Sequence, residues 1–234
     1  MSLRVAILAG GLATRLKPIT ETIPKALVDV AGRPFIDHQI QLLVSQGIRD
    51  IILCVGHLGG MIERHLGDGS RFGARITYSS DGDRLLGTGG CLRNALPLLG
   101  EKFYVLYGDS YLPINFQDVQ AAYWQSGKRG LMTVFRNEGN WDESNVVFEG
   151  GEIITYSKRE KSPRMKHIDY GLEILHKDLF DRAPSSGSFD LAELLQDLVG
   201  NREIAGYEVH ERFYEIGSPA GLSELNRLLK EKKS

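Results

Sequence analysis

A glycine-rich segment near the start of the chain carries the residue types that bind phosphate groups. Gly10 and Gly11 follow the apolar run RVAILA, and paired glycines let backbone N–H groups approach a ligand closely. Thr14 adds a hydroxyl, Arg15 a cation that can bind two phosphate oxygens, and Lys25 a second cation. The spacing matches neither the G-x-G-x-x-G of a dinucleotide-binding loop nor the G-K-[ST] of a P-loop. The segment predicts a phosphate-binding loop of another type, with a glycine turn beside a solvated arginine as the structural alternative.

An alternation of strands and helices must position this loop. Apolar runs typical of buried strands occupy Arg4–Ala9, Asp50–Val55, Arg75–Ser79 and Phe103–Tyr107, with helical patterns at Pro34–Gln46, Met61–Leu66 and Gly89–Leu98. This alternation predicts an α/β fold, with a parallel sheet covered by helices on both faces. Ligands of such sheets bind at the carboxyl ends of the strands. Gly10–Gly11 and Gly108–Asp109 stand at two of those ends.

The second half of the chain has a different pattern. Strands are predicted at Leu131–Arg136 and His167–Leu175. Between them, Asn145–Phe148 and Glu152–Tyr156 are predicted to form a hairpin closed by Gly150–Gly151. Helices are predicted at Asp190–Val199 and Ser218–Leu229. We interpret this half as a lid of mixed strands built on the same sheet. The sequence therefore predicts a single domain over residues 1–234.

Composition excludes several classes of protein. The 234 residues carry a formal net charge of -2, with 42% apolar and 25% charged residues, which is ordinary for a globular protein. No apolar run approaches the ~20 residues of a membrane-spanning helix, and the balanced charge argues against binding nucleic acid through a broad basic surface. Two cysteines cannot make a disulfide framework, so we expect a reducing cytoplasm. Glycine, at 27 residues, is over-represented.

The string LAGGLATRLKPITETIPKALVDVAGRP resembles the signature of the sugar-1-phosphate nucleotidyltransferases, also called nucleotide-sugar pyrophosphorylases. The likeness continues in the family's order through LGDGS at 66–70, GTGG at 87–90, GD at 108–109 and EIGSP at 215–219, and it is greatest to the heptose-1-phosphate guanylyltransferases. Ala13 departs from the pattern, where a third glycine is usual, and Ala is tolerated there if its φ is negative. The resemblance implies a GT-A-like nucleotidyltransferase fold, a Rossmann-like mostly parallel sheet sandwiched by helices, with a small mixed-strand sugar-binding lid. It divides the domain into a nucleotide-binding half, residues 1–110, and a sugar-binding half, residues 111–234.

The resemblance also implies roles for the charged residues. Arg15 would hold the leaving pyrophosphate and Lys25 the phosphates near the reacting centre. Asp109 and Glu215 would bind Mg²⁺, although the family more often has Asp at the second position. The nucleotide would contact the loop and the base-recognition stretch through Leu8, Ala9, Gly10, Gly11, Thr14, Asp81, Gly87 and Thr88.

We infer the preferred base from Asp81, because its carboxylate can accept hydrogen bonds from the N1–H and N2–H groups of guanine. This favours GTP with a heptose or related sugar 1-phosphate. Muramate-type uridylyltransferases, which the chain also resembles over Leu66–Gly73, carry an acid in the same stretch. UTP with N-acetylmuramate or another amino-sugar 1-phosphate is therefore the alternative pair of substrates. Asp81–Gly82 can also be a plain surface turn with no role in binding the base.

For the sugar phosphate the family supplies a lysine after the lid hairpin, and Lys158 and Lys161 are equal candidates. Either can also be an ordinary solvated charge. Asn145, Asp169 and Gly171 match positions that contact the sugar hydroxyls, with Asp169 standing where Asn is more usual.

The expected partners are an NTP and a sugar 1-phosphate, with neither nucleic acid nor membrane, and a homodimer is compatible with the sequence. A nucleotide-sensing module without turnover is the alternative of a different class. The joint presence of Arg15, Lys25, Asp109 and Glu215 argues against a sensor. A dehydrogenase is excluded by the glycine spacing.

Overall fold

The computed structural model describes residues 3–12 and 14–231. The first part of the chain alternates strands and helices in the order β1 (Arg4–Leu8), β2 (Asp29–Val30), β3 (Arg33–Pro34), α1 (Phe35–Ser45), β4 (Asp50–Val55), α2 (Gly59–Leu66), β5 (Arg75–Ser80), α3 (Gly87–Ala95) and β6 (Lys102–Tyr107). Each of the strands and helices predicted here is present, with ends that shift by a few residues. The helix predicted at Gly89–Leu98 starts at Gly87 and ends at Ala95, because Pro97 has no N–H to continue it.

The second part contains four elements that the sequence analysis did not predict, the helix α4 and the strands β7, β12 and β13. The order is β7 (Ser110–Tyr111), α4 (Phe116–Ser126), β8 (Gly130–Arg136), β9 (Val146–Glu149), β10 (Glu152–Tyr156), β11 (His167–His176), α5 (Leu191–Gly200), β12 (Ile204–Val209), β13 (Tyr214–Glu215) and α6 (Pro219–Glu231). The hairpin of β9 and β10, closed by Gly150–Gly151, confirms the prediction for that segment.

One sheet runs through both halves of the chain. Its centre is parallel, in the order β5, β4, β1 and β6. Strand β11 joins antiparallel to β6, β8 pairs with β11, and β12 runs parallel to β8. The β9–β10 hairpin meets β11 at His167. The predicted α/β fold, with a mostly parallel sheet between helices, is confirmed, and the strands of the second half extend that same sheet.

The sheet buries both faces because its apolar residues alternate sides. In β1, Val5 and Ile7 face a core shared with α1, α2 and α4, whereas Ala6 and Leu8 face a core shared with α3 and α5. This double burial explains why the central strands appear in the sequence as continuous apolar runs rather than as alternating ones. No helix in the described part of the chain is long and apolar enough to cross a bilayer.

The contact between α3 and the segment before α5 depends on a missing side chain. A Cβ atom on Gly89 would lie 2.2 Å from Cε2 of Phe189, a ring that is only 6% exposed. We expect Gly89→Ala to lower the free energy of unfolding by about 1–3 kcal/mol, because the ring and helix must separate. Thermal unfolding followed by circular dichroism measures the effect as a drop in Tm. Gly200→Ala, at the open end of α5 with no atom within 4 Å of its Cβ position, is the control and should leave Tm unchanged. Equal Tm values for the two variants would contradict the packing argument.

Candidate active site

A cavity of about 240 Å³ opens at the carboxyl ends of the central strands. Its lining includes nine residues that the sequence singled out: Leu8, Ala9, Gly10, Gly11, Lys25, Asp81, Gly87, Thr88 and Asp109. It also includes Gly108, which the sequence placed at a strand end beside Asp109, and four residues that were not predicted: Ala26, Leu85, Cys91 and Tyr107. The cavity therefore lies where ligands of open α/β sheets bind.

Two glycines allow the strand ends to come close together under the cavity. A Cβ on Gly108 would lie 2.5 Å from the carbonyl oxygen of Leu8, and one on Gly10 would lie 3.1 Å from the nitrogen of Gly56. The N–H of Gly108 donates to that same Leu8 oxygen at 3.1 Å. Larger residues at these positions would push the loops after β1 and β6 apart and disturb the wall that they form.

A cation and an acid meet at one end of the cavity. Lys25 lies in a short 3-10 turn, and its Nζ is 2.8 Å from Oδ2 of Asp109, the residue that follows Gly108 after β6. The two side chains are 19% and 28% exposed, so the pair is partly shielded from water but still open to a ligand. The lysine of such a pair can exchange the carboxylate for phosphate oxygens, and the freed carboxylate can then bind a cation.

Glu215 reaches this end of the cavity from the far end of the chain. Strand β13 pairs antiparallel with β7, placing Glu215 opposite Ser110, and the N–H of Ile216 donates to the carbonyl of Asp109 at 2.9 Å. A Cβ on Gly217 would lie within 3.2 Å of three charged atoms: Oε2 of Glu215, Nη2 of Arg15 and Oδ2 of Asp109. The residues that the sequence predicted to handle phosphate and metal thus converge around Gly217.

The Glu215 carboxylate is also held by the two residues that precede α6, of which Ser218 caps the helix by accepting the N–H of Gly221 at 3.0 Å. Its oxygens accept hydrogen bonds from the N–H of Gly217, from the N–H of Ser218 at 3.0 Å and from the Ser218 hydroxyl at 2.6 Å. The extra methylene that Glu has over Asp is accommodated beside Gly221, since a Cβ there would overlap Oε1 of Glu215. The helix start therefore fixes the direction of this carboxylate.

The donor set at this point fits a magnesium ion. Mg²⁺ commonly takes one or two carboxylates from a protein and completes its shell with phosphate oxygens and water. Asp109 and Glu215 supply two carboxylates at one place. Among residues 3–12 and 14–231 there is no group of three or more His, Cys, Asp and Glu side chains arranged to hold a metal by themselves. The substrate phosphates would therefore have to complete the site.

Asp81, directly after β5, lines the same cavity. Its Oδ2 accepts the N–H of Leu86 at 3.0 Å, whereas its buried Oδ1 has no hydrogen-bond partner within the described parts of the chain. Burial raises the pKa of this carboxyl above its ordinary value. A buried acceptor without a donor is costly unless a ligand supplies one. Asp81 is thus suited to bind a group with N–H donors.

Thr88 has a structural role in addition to lining the cavity. Its hydroxyl donates to Asp190 at 2.8 Å and accepts the N–H of Leu191 at 2.8 Å. These contacts join the start of α3 to the start of α5. The hydroxyl is therefore committed within the protein, and the backbone around Gly87 and Thr88 forms this part of the wall.

The predicted sugar-contacting residues form one hydrogen-bonded unit. Oδ1 of Asn145 accepts the N–H of Asp169 at 2.8 Å, and Oδ1 of Asp169 accepts the N–H of Gly171 at 3.0 Å. Gly171 has a φ of +92°, and a Cβ there would lie 3.2 Å from the ring of Tyr107. Since Tyr107 lines the cavity, this unit borders it on the side of β11.

The two candidate lysines occupy different places. Nζ of Lys158 lies 5.2 Å from the ring centroid of Tyr107, within range of a cation–π contact at the edge of the cavity. Nζ of Lys161 pairs instead with Glu143 at 3.1 Å. The structure therefore brings Lys158 to the cavity and leaves Lys161 in a different ion pair.

The glycine loop itself differs in part from the expectation. Thr14 and Arg15 lie in an exposed 3-10 turn that does not line the cavity, although Arg15 reaches Gly217 with its guanidinium. Ala13 lies outside the described residues. Of the residues that the sequence analysis missed, Tyr107 had a usable signal, because it ends a predicted strand just before Gly108 and Asp109.

Known proteins with similar sequences and folds resemble the chain over nearly its whole length. Mannose-1-phosphate guanyltransferase beta-A of Xenopus laevis is 30% identical over 93% of the chain, which spans 62% of that protein. The D-glycero-alpha-D-manno-heptose 1-phosphate guanylyltransferase of Campylobacter jejuni is 27% identical, with 93% of the chain and 96% of the relative covered. The crystal structure of HddC from Yersinia pseudotuberculosis, complexed with GMP-PN, superposes with a TM-score of 0.83 at 23% identity, covering 98% of the chain and 100% of its own.

The chain thus spans about three fifths of the length of the Xenopus relative. The family model described as "Nucleotidyl transferase" matches residues 4–230, which include every charged residue that converges around Gly217. A match of that extent shows that the chain belongs to the nucleotidyl transferase family.

Proposed function

We propose that the protein transfers a nucleotidyl group from an NTP to a sugar 1-phosphate and releases pyrophosphate. The observation that carries this proposal is the convergence of Arg15, Asp109 and Glu215 around Gly217, with Lys25 bound to Asp109. Carboxylates and cations gathered at one end of a cavity suit a reaction in which two polyanions must meet. Asp81, which lines the same cavity and has an acceptor without a donor, suits a nucleobase.

The chemistry needs little proton transfer. A phosphate oxygen of the sugar 1-phosphate attacks the α-phosphorus of the NTP, a new P–O bond forms, and the bond to the β-phosphate bridging oxygen breaks in line. The attacking oxygen is already anionic, so no general base is required. The protein must hold both substrates in position and stabilise the charge that builds up between them.

Each charged residue has a role that follows from its place. Lys25, next to Asp109, would contact the phosphates at the reacting centre, and Arg15 would bind the departing pyrophosphate. Asp109 and Glu215 would hold Mg²⁺, which when bound supplies a Lewis acid for phosphate oxygens. Lys158, beside Tyr107, would bind the phosphate of the sugar.

We further propose GTP as the nucleotide and a heptose or related sugar 1-phosphate as the acceptor. Support for guanine comes from Asp81, which lines the cavity and whose buried Oδ1 accepts no hydrogen bond from a described residue. Guanine offers two neighbouring N–H donors on its Watson–Crick edge, whereas uracil offers one. UTP with an amino-sugar 1-phosphate is the competing assignment.

Asp81→Asn tests the base assignment. Asparagine can keep the Leu86 contact through its oxygen, but it then presents an NH₂ group to the N–H donors of guanine. We expect KM for GTP to rise by about 10- to 100-fold, the range of a good bidentate contact to a base. Steady-state pyrophosphate release with GTP and with UTP measures the change. Asp83→Asn, two residues further along an exposed turn, is the control. Equal losses with both nucleotides would contradict guanine recognition by Asp81.

The proposed reaction itself is tested by a matrix of four NTPs against several sugar 1-phosphates, read by Mg²⁺-dependent pyrophosphate release. Release with GTP and a heptose or hexose 1-phosphate is the expected result. Binding of NTP in a thermal-shift assay without release in any combination would support the sensing module and overturn the enzyme.

A further inference from the structure

Strand β11 carries a carboxyl group inside the core. Glu173 is 0% exposed, and it lies opposite Val105 of β6 and Met132 of β8 in the register of the sheet. Neither of its carboxyl oxygens receives a hydrogen bond from any described residue. An ionised carboxylate in such a place would be strongly destabilising, because it would lose its hydration without gaining donors. The mechanism outlined above does not use this residue.

The surroundings of Glu173 are acidic and phenolic. Asp169 lies four residues earlier on the same strand, across an irregularity in the pairing with β8, and its carboxyl acts directly on that of Glu173. Around the two carboxyls stand Tyr156 of β10, Tyr107 of β6, Lys158 after β10 and Asp190 before α5, with the Tyr156 hydroxyl donating to Oδ2 of Asp169 at 3.2 Å. Lys158 is the one cation among these groups.

Two carboxyls in contact can form a hydrogen bond only if one of them carries a proton. Burial, the negative charge of Asp169 and the contact with its carboxyl raise the pKa of Glu173 well above its ordinary value, while Lys158 and the backbone N–H of Glu173 itself act in the opposite direction. Asp169, in contrast, is partly exposed and accepts both the N–H of Gly171 and the Tyr156 hydroxyl. The proton therefore belongs on Glu173, the member of the pair that has no other donor.

We propose that Glu173 is a positioning residue of the sugar subsite: it keeps a proton, donates it to Asp169, and so holds Asp169 as an ionised acceptor for a hydroxyl group of the sugar 1-phosphate. This inference rests on the proposed function. Asp169 belongs to the hydrogen-bonded unit of Asn145 and Gly171 beside Tyr107, which puts its carboxylate at the edge of the cavity.

The arrangement also selects a class of sugar. An ionised Asp169 beside Asp190 favours a ring that presents neutral hydroxyl groups and repels one that carries its own carboxylate. N-acetylmuramate has such a carboxylate, whereas heptoses and hexoses do not. Asp169 and Asp190 therefore argue for a sugar 1-phosphate whose ring is neutral and carries hydroxyl groups. Lys158 would then bind the phosphate.

The test compares wild type with Glu173→Gln and Glu173→Leu. The control is Glu152→Gln, at an exposed position in β10. The first measurement is unfolding stability as a function of pH, which needs no substrate. The folded wild type keeps a proton that the unfolded chain releases above the ordinary glutamate pKa of about 4.3, so its stability should fall as pH rises above that value and through the folded-state pKa. Glu173→Gln should remove one proton from this dependence, and the control should not.

The second measurement is KM for the sugar 1-phosphate. Glu173→Leu removes the donor to Asp169 and should raise this KM about tenfold, with little change in KM for the NTP. Glu173→Gln supplies an amide donor in place of the protonated carboxyl and should recover most of the loss. Its KM should also stay level at alkaline pH, where that of wild type rises as Glu173 ionises.

The outcomes separate the two levels of the proposal. The same pH dependence of stability in wild type and Glu173→Gln would overturn the buried proton, whether or not any sugar phosphate is a substrate. An unchanged KM for the sugar 1-phosphate in Glu173→Leu, or turnover of a carboxylate-bearing sugar in preference to neutral ones, would overturn the positioning role. If wild type turns over no NTP and sugar pair, the proposed function and the positioning role both fall, and the stability comparison still decides the proton.

Discussion

Replacing Asp109 with asparagine is expected to lower kcat for pyrophosphate release by about a thousandfold, on the order of 4 kcal/mol of transition-state stabilisation. The amide retains an oxygen that can accept from Lys25, now 2.8 Å from the Asp109 carboxylate, so the local shape should be kept. What it loses is the negative charge that would hold Mg²⁺ beside the reacting phosphates. The loss should therefore fall on turnover rather than on folding.

Steady-state kinetics at saturating Mg²⁺ measures the Asp109→Asn effect, and a thermal melt confirms that the variant folds. Asp118→Asn is the matched control, because Asp118 is exposed in the first turn of α4 and away from the cavity. Near-normal pyrophosphate release by Asp109→Asn would contradict its assignment as a metal ligand.

Lys25→Met should lower kcat/KM for both substrates by about 100- to 1,000-fold, the range found when one preorganised charge-stabilising group is removed. Methionine fills a similar volume but leaves Asp109 as an unpaired negative charge facing two polyanions. Lys17→Met is the control, since Lys17 is 57% exposed and its ion pair is with Glu21. If Lys25→Met matched the control, the lysine would have no part in phosphate binding.

The two substitutions should not act independently. Lys25 and Asp109 are in direct contact, and residues in contact commonly show coupling free energies of about 0.5–3 kcal/mol. The double variant should therefore lose less activity than the product of the single losses. Strictly multiplicative losses would indicate that the ion pair is broken in the working enzyme.

The central sheet was predictable because its strands are buried on both faces. Continuous apolar runs such as DIILCV leave little choice of structure, and the structure places that strand at Asp50–Val55 as predicted. Strand β12 was missed because IAGYEV combines a glycine with polar residues. A Cβ on Gly206 would lie 2.5 Å from the Phe148 ring, so this glycine serves packing rather than a turn. Helix α4 did carry a signal, with Phe116, Val119 and Tyr123 buried on one face.

The candidate site was predictable in its residue types but not in its assembly. The proximity of Asp109 and Glu215 depends on a pairing of only two residues from each strand, β7 and β13, which leaves no trace in local patterns. The choice between Lys158 and Lys161 depends on how the chain turns after β10. Glu173, by contrast, stands out as one charge in the apolar run GLEIL, and its importance becomes apparent only when its neighbours are known.

The hydrogen bonds from Gly217 and Ser218 to Glu215 couple the start of α6 to the proposed phosphate-binding residues. The remaining turns of α6 bury Leu225 and Leu229 against Val30 and Ala31, just beyond the turn that carries Lys25, and Asn226 accepts the N–H of Ala31 at 2.8 Å. A single rod therefore braces the lysine segment at one end and the Glu215 carboxylate at the other. If the position of Lys25 and Glu215 strengthens substrate binding, then bound substrate must stabilise that position by the same free energy. Substrate should therefore slow the local opening of α6.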